Sequence, residues 1–281
     1  MKFVKMHGAG NDYVYVDCFN QCVDDPARLA REVSSRNFGV GSDGLILILP
    51  SGCADARMRI FNADGSEAEM CGNGVRCVAK YVYDHGIAHR DHLHIETNSG
   101  VLALQLFTDA HDLVERVRVD MGEPRLQRGK IPMLGDADSN ALGVELEVGG
   151  RNFKVSCLSV GNPHCVVFVD DVDNFDVHQW GEQLENHPQF PQRINVEFVQ
   201  IVSRNEVCQR TWERGAGETL ACGTGSSAVT VASFLAGYTE RRIVNHLRGG
   251  DLEMEYSEAG VIYMTGPATE VFSGQWPEKQ V

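Results

Sequence analysis

Thr211-Trp212-Glu213-Arg214-Gly215-Ala216-Gly217-Glu218-Thr219-Leu220-Ala221-Cys222-Gly223-Thr224-Gly225-Ser226-Ser227 runs from strand formers through glycines to a cysteine at the mouth of an apolar segment. Residues 226–236 are nearly all apolar or small and are closed by Gly237. They are too short to span a membrane and predict a buried helix with a C-terminal glycine stop. A cysteine just ahead of such a helix meets unpaired N–H groups and the positive end of the helix dipole. That setting lowers a thiol's pKa and predicts thiolate near neutral pH. Gly223 and Gly225 let the backbone approach a ligand closely and present N–H groups to an anion.

The same plan occurs a second time. Met70-Cys71-Gly72-Asn73-Gly74-Val75-Arg76-Cys77-Val78-Ala79-Lys80-Tyr81-Val82-Tyr83 again places Cys-Gly-x-Gly ahead of a helix, with Gly86 as its expected stop. The two cysteines lie about 150 residues apart, roughly one domain length. Each follows an acidic, glycine-containing lead-in, Ala63-Asp64-Gly65-Ser66-Glu67 in one case and Gly215-Ala216-Gly217-Glu218 in the other. Two matched halves, each ending in a cysteine at a helix tip, make a constellation.

The chain has 281 residues, enough for two modest domains with real cores. Its 43% hydrophobic and 23% charged residues are ordinary for a soluble globular protein. A net charge of −14 argues against a general nucleic-acid partner or an anionic membrane surface, both of which need a basic patch. It leaves room for an anionic substrate in a local pocket. The nine cysteines, at 18, 22, 53, 71, 77, 157, 165, 208 and 222, are odd in number and scattered through core-like segments. Residues 1–8 lack the apolar region of a secretory signal, so reduced thiols and a cytoplasmic location are expected. No run approaches 18 apolar residues, so no membrane span is expected.

Along the chain, residues 2–6 and 13–17 read as strands around the glycine-rich loop His7-Gly8-Ala9-Gly10-Asn11-Asp12. Asp25-Pro26 opens a helix to about Ser34, with Asp as N-cap and Pro at the first position. Gly39-Val40-Gly41-Ser42-Asp43-Gly44 formally matches G-x-G-x-x-G. It follows a helix and leads into the strand 45–49, the reverse of the dinucleotide-binding order, and is not read as a nucleotide site. Residues 57–62 alternate as a strand that delivers Asn62 to the first cysteine loop. Segments 92–96, 101–107 and 114–120 follow as strands. The histidines at 85, 89, 92 and 94 match no ligand spacing, and no metal site is expected from them. A linker is expected near Gly122-Glu123-Pro124. The second half is again strand-rich, at 145–148, 152–159, 166–169 and 195–202, with a short helix at 180–185. Gly161-Asn162-Pro163-His164-Cys165 reads as a tight turn from which Asn162 and His164 project. Strand-like segments at 261–265 and 270–272 are expected to cross back to the first domain.

Three chemistries fit two helix-tip cysteines. A dithiol–disulfide pair normally uses Cys-x-x-Cys on one helix, which is absent here. Two buried structural cysteines would explain either site alone better than the repeated pair. A two-base isomerase needs opposed acid/base groups and oriented donors for the charge that grows on a carboxylate as its α-carbon loses a proton. That chemistry requires no cofactor. His164 and Glu213 then act as neighbours that tune the thiols, Glu213 being also able to bind a substrate ammonium. Arg214 suits a planar carboxylate. Asn11, Asn62, Asn162 and Asn195 can donate to and accept from an amino-acid head group.

At these residues the sequence resembles the diaminopimelate epimerase family. The runs that carry the resemblance are Met6-His7-Gly8-Ala9-Gly10-Asn11-Asp12, the Asn62–Gly74 region, Gly161-Asn162-Pro163-His164-Cys165, Arg193-Ile194-Asn195, and Glu213 through Gly225. They span the chain in the family's order. The resemblance implies an α/β (α+β) fold of two similar domains, each a curved, barrel-like, mostly antiparallel sheet around a central helix, with the site in the cleft between. Residues 1–120 with 268–281 would form the domain carrying Cys71, and 121–267 the domain carrying Cys222. Cys71 and Cys222 would be the acid/base pair, with His164 and Glu213 modulating them. Asn11, Asn62, Asn162, Asn195, Glu213 and Arg214 would contact substrate, and Gly72-Asn73 with Gly223-Thr224 would hold the reacting carboxylate. The implied reaction is interconversion of LL- and meso-diaminopimelate in lysine biosynthesis, without cofactor or metal, by a homodimer with Phe272 in the pairing strand. Gly44 stands where some members place a glutamine near the substrate, Tyr13 where phenylalanine is common, and Ser226-Ser227 where alanine is more usual. The alternatives are a cofactor-independent racemase of another amino acid, a thiol redox protein, and a ligand-binding relative; the last would be expected to lack one cysteine.

Overall fold

The computed structural model describes residues 1–68 and 70–277, so residues 278–281 of the segment expected in the first domain lie outside it. Two compact units divide the chain, Met1–Val119 joined by the chain from Thr265, and Asp120–Met264.

The first unit begins with β1 (Lys2–Gly8), β2 (Asn11–Asp17), α1 (Pro26–Ser34), β3 (Gly44–Leu49), β4 (Ala56–Asn62) and β5 (Glu67–Ala68). It continues through α2 (Gly72–Asp84), β6 (His92–Thr97), β7 (Gly100–Thr108) and β8 (Val114–Gly122). The second unit carries β9 (Ala141–Val148), β10 (Arg151–Ser159), β11 (Pro163–Phe168), α3 (Val177–Glu185), β12 (Asn195–Ser203), β13 (Glu206–Glu213) and β14 (Gly217–Thr219). After these come α4 (Gly223–Leu235), β15 (Arg242–Leu247), β16 (Gly250–Tyr256) and β17 (Ile262–Pro267). The last strand, β18 (Thr269–Gln275), pairs antiparallel with β1, Lys5 opposite Phe272, so the chain's end does return to its first strand.

Internal duplication is visible in the ladders. In the first unit β1–β2 is antiparallel, β2–β3 parallel, β3–β4 and β4–β5 antiparallel, β4–β6 parallel and β6–β7 antiparallel. The second repeats this order with β10–β11, β11–β12, β12–β13, β13–β14, β13–β15 and β15–β16. A parallel pair needs a crossover, and helices supply it: α1 and α3 lie between the first parallel strands of each unit, α2 and α4 between the second.

The second crossover is the core of each unit. Helix α2 packs against β1, β2, β4, β6 and β7, and α4 against β10, β11, β12, β15 and β16. A helix surrounded by sheet must be buried on every side, and twelve of the thirteen residues of α2 are buried. Its polar side chains are matched. Lys80 Nζ donates to Asp84 Oδ2 and to the carbonyl of Val114, each at 2.6 Å, and Arg76 donates to the carbonyls of Gly72 and Pro267. In α4 the buried hydroxyls of Ser226, Ser227, Thr230 and Ser233 each donate to the carbonyl four residues back, at 2.7–3.0 Å. That bonding satisfies them without solvent and explains how a serine-rich helix can be central.

The hairpin between β1 and β2 turns at Ala9 (φ 52°) and Gly10 (φ 82°), the positive angles of a tight two-residue turn. Its strands extend to Gly8 and Asn11, so the expected six-residue loop shrinks to two. Strands β15 and β16 are absent from the sequence reading; in β15 the half-buried Val244 and the buried Asn245 invert the polar and apolar alternation between Ile243 and Leu247.

Candidate active site

Both cysteines stand one residue ahead of a central helix and cap it. Cys71 is the N-cap of α2, its sulfur accepting from the N–H of Gly74 at 3.4 Å. Cys222 is the N-cap of α4 and accepts from Gly225 N–H at the same 3.4 Å. Each thus takes up one of the four N–H groups that a helix start leaves over. Gly72 and Asn73, and Gly223 and Thr224, are the first and second helical residues, positions that lie ahead of the regular i to i−4 ladder of a helix.

Around Cys71 the first unit places Asn11. The Cys71 thiol donates to Asn11 Oδ1 at 3.3 Å, while Asn11 Nδ2 donates to Asp43 Oδ2 at 2.8 Å. Asp43 also accepts from Asp12 N–H and pairs with Arg36 at 2.8 Å. Burial pushes the Asp43 carboxyl up, against the pull of its donors. Asp43 fixes which end of the Asn11 amide faces the sulfur, an orienting role that the sequence reading missed. Its position inside a glycine-rich loop was the available signal. Asn73 is buried, and its Oδ1 accepts from Arg76 at 2.9 Å, so the residue presents its backbone rather than its amide. Asn62 is exposed and bonds Ser66 Oγ at 3.0 Å. Gly44 has no room for a side chain; a Cβ there would lie 2.1 Å from the Phe61 carbonyl oxygen.

The second unit surrounds Cys222 differently. Thr224 Oγ1 lies 3.5 Å from the sulfur. Glu213, at the end of β13, accepts from Thr219 Oγ1 at 2.6 Å and is close enough to act on the thiol electrostatically. The Cys222 thiol is pushed well above its ordinary range, first by burial and then by Glu213 and Glu197. The expected lowering at a helix tip is therefore overridden at this cysteine: the donors from Gly225 and Thr224 pull down, but desolvation and two carboxylates outweigh them. His164 does not project from a turn. It lies inside β11, wholly buried, with Nδ1 2.7 Å from Glu197 Oε1 and Nε2 2.9 Å from Asn162 Oδ1. Asn195 donates to the Pro163 carbonyl at 2.8 Å and accepts from the N–H of Arg214 at 2.9 Å, tying β11 to the turn that carries Arg214. The Arg214 guanidinium reaches the Gln192 carbonyl at 3.1 Å.

Among the described residues no group of three or more His, Cys, Asp or Glu is placed to hold a metal ion. The clustered histidines find other partners, His85 on Glu270 and the Tyr81 ring, His89 on the Tyr83 ring, His92 on Asp91. No helix of the described residues is long and apolar enough to cross a membrane.

This architecture recurs in known structures of low sequence identity. A PhzF-family phenazine biosynthesis protein of Bacillus anthracis superposes with a TM-score of 0.69 at 18% identity, covering 98% of both chains. A hydroxyproline epimerase of Agrobacterium vitis gives 0.71 at 16%, covering 98% of this chain and 91% of the other. The fold is thus one shared by amino-acid epimerases and PhzF proteins. Sequence similarity is more specific. The family model for diaminopimelate epimerase matches residues 3–127 and 156–271. A diaminopimelate epimerase of Agathobacter rectalis is 54% identical over 98% of this chain and 99% of its own. One of Pelotomaculum thermopropionicum is 52% identical over 99% of each. The chain belongs to the diaminopimelate epimerase family.

Proposed function

We propose that this protein interconverts LL-2,6-diaminopimelate and meso-diaminopimelate by two-base proton transfer. One cysteine, as thiolate, takes the α-hydrogen as a proton and becomes a thiol; the other, as thiol, gives its proton to the opposite face of the same carbon and becomes a thiolate. The reaction inverts one centre, conserves charge and requires no cofactor or metal. The observation that carries this reading is the pair of cysteine caps, built identically at the tips of two buried helices, in a chain about half identical to proteins of that name.

The remaining roles follow from the chemistry. As the proton leaves, charge grows on the substrate carboxylate, and the first N–H groups of α2 and α4, at Gly72-Asn73 and Gly223-Thr224, suit that charge. Asn11 holds the Cys71 thiol from the side, which limits the directions in which its proton can move. Glu213 and His164 set the ionisation of the second cysteine, and Glu213 is also suited to a substrate ammonium. Arg214 would take the distal carboxylate, with Asn62, Asn162 and Asn195 completing the head-group contacts. Reduced thiols match a cytoplasmic enzyme of lysine biosynthesis. A homodimer through β18 is supported by the exposure of Val271 and Phe272, 54% and 47%, on that strand.

The test is incubation of the reduced protein with LL-diaminopimelate in heavy water, without added pyridoxal phosphate or metal, followed by NMR. Deuterium at the inverted centre of the meso product, lost in Cys71→Ala, is the expected result. Wild-type protein that exchanges no α-hydrogen of diaminopimelate would overturn the reading.

A further inference from the structure

Each unit carries an asparagine where a hairpin turns into its second strand, β1 into β2 and β10 into β11, and the ladders place the two at matching positions. Asn11 lies two residues before Tyr13, which pairs with Gly44, and Asn162 two residues before His164, which pairs with Asn195. Different chemistry braces the two amides. In the first unit the brace is Asp43, one residue before Gly44. Its carboxylate accepts, so it takes the Asn11 nitrogen at 2.8 Å and leaves the oxygen to the Cys71 thiol. In the second unit the residue before Asn195 is Ile194, buried and without a polar side-chain atom. The brace comes instead from His164, whose Nε2 lies 2.9 Å from Asn162 Oδ1. The other ring nitrogen, Nδ1, lies 2.7 Å from Glu197 Oε1, and both side chains are wholly buried.

Charge balance decides which way the second brace works. A net charge on a wholly buried pair is costly. The pair is neutral overall with one proton between Nδ1 and Oε1 and another on Nε2. A proton on Glu197 Oε2 instead would be a donor without an acceptor, because that oxygen has no hydrogen-bond partner. Nε2 therefore donates, the Asn162 oxygen accepts, and the amide nitrogen is turned away from the ring. Among the described residues no group accepts from that nitrogen, and Asn162 is only half-buried. Asn195 differs, since its nitrogen donates to the Pro163 carbonyl and its oxygen accepts from Arg214 N–H.

We propose that His164, held by Glu197, is a positioning residue that locks the Asn162 amide with its nitrogen turned away from the ring, making Asn162 a donor to a carboxylate of the substrate. The choice of group rests on the function proposed above; the orientation of the amide does not. The ammonium groups of diaminopimelate only donate at neutral pH, so a carboxylate is what an amide N–H of Asn162 can bond. The matching Asn11 is held the other way round, and duplication has thus yielded one amide that accepts and one that donates.

The experiment is NMR at pH 7 on the reduced full chain, labelled with nitrogen-15 in the histidine rings and asparagine side chains. In the substrate-free wild type the His164 Nε2 resonance, assigned by its loss in His164→Gln, is expected to be that of a protonated nitrogen; a bare Nε2 would overturn the proposal. On saturation with meso-diaminopimelate the Asn162 side-chain amide resonance, assigned by its loss in Asn162→Asp, is expected to move. An unmoved resonance in a protein that binds the compound would overturn the proposal. Asn162→Asp keeps the oxygen that His164 bonds and replaces the nitrogen by a second acceptor. It should raise KM for LL-diaminopimelate about tenfold or more, with a smaller effect on kcat; a KM near that of wild type would refute the donor role. His164→Leu should raise KM by a similar factor, and His164→Gln, which keeps an N–H donor, should recover most of it. Equal KM values for these two variants would count against the brace, and should either not fold, the wild-type Nε2 resonance decides. A protein that neither binds nor converts diaminopimelate would refute the assigned function and leave the ring test standing, so the two proposals fail separately.

Discussion

Adding one methyl group at each helix tip should separate the two halves energetically. Gly74 and Gly225 are matched residues, and each donates its N–H to the capping sulfur at 3.4 Å. Alanine keeps that donor, and at a compatible helical position it stabilises by about 0.4–1 kcal/mol through the unfolded chain. The opposing term differs. In Gly74→Ala the new Cβ meets Ile46 Cδ1 at 2.7 Å, a terminal methyl that can rotate away at a packing cost of about 1 kcal/mol. The variant should therefore lie within about 1 kcal/mol of wild type. In Gly225→Ala the Cβ meets Glu197 Oε1 at 2.6 Å, Glu197 Cδ at 3.2 Å and Gln209 Nε2 at 3.2 Å. That oxygen moves only by lengthening its 2.7 Å contact with His164. Losing such a charge-assisted buried bond costs about 1.5–3 kcal/mol, so the net loss should be about 1–2 kcal/mol. Urea titrations of both variants beside wild type measure the difference through the shift in midpoint at constant slope. Equal losses, or a larger loss for Gly74→Ala, would refute the placement of Glu197 against the α4 tip.

Further perturbations test the supports of each half. Arg76→Lys should destabilise by about 2–3 kcal/mol, because one ammonium cannot serve the Gly72 and Pro267 carbonyls and Asn73 Oδ1 together; thermal unfolding near wild type would contradict this. Glu218 accepts from Arg210 Nε at 2.7 Å and from a terminal nitrogen at 3.1 Å, and the pair of Arg210 and Arg248 holds its carboxyl below the ordinary value despite burial. A lowered folded pKa means stability that is full above the unfolded value and lost as pH falls through the folded one. Glu218→Gln should therefore cost about 1.5–3 kcal/mol at pH 7, with the deficit fading below the ordinary value of 4.5; a deficit that persists unchanged at pH 3 would show that the charge is irrelevant.

The parts legible in the sequence were those set by local rules. The Asp25-Pro26 helix start is realised, with Asp25 Oδ1 accepting from Arg28 N–H at 3.0 Å, because an N-cap is decided within four residues. Gly86 and Gly237 stop their helices with positive φ, 72° and 76°, for the same reason. Glu197 was not legible. In Asn195-Val196-Glu197-Phe198-Val199 alternation assigns Glu197 to a solvent face, yet all five residues are buried. A sheet wrapped around a helix, with α3 packed against the same strand, leaves β12 no wet face, and only tertiary structure reveals that. His164 was misplaced for a related reason. Pro163 looks like a turn residue but is the first residue of β11, a position where a strand tolerates proline, so the histidine that follows it points into the core.

Duplication explains why the two caps match in their geometry. Two-base inversion needs two acid/base groups of the same reach, which a repeated strand–cysteine–helix unit supplies: both sulfurs lie 3.4 Å from the N–H three residues on. It also needs one group protonated while the other is not, a state that repulsion between two thiolates at one site favours. The two halves nonetheless differ beneath their caps. Arginine stands at 76 where the second helix has Ser227, and glutamate at 197 where the first sheet has Ile46. Both differences bury an ionisable side chain close to a cap, and each leaves the geometry of the cap unchanged.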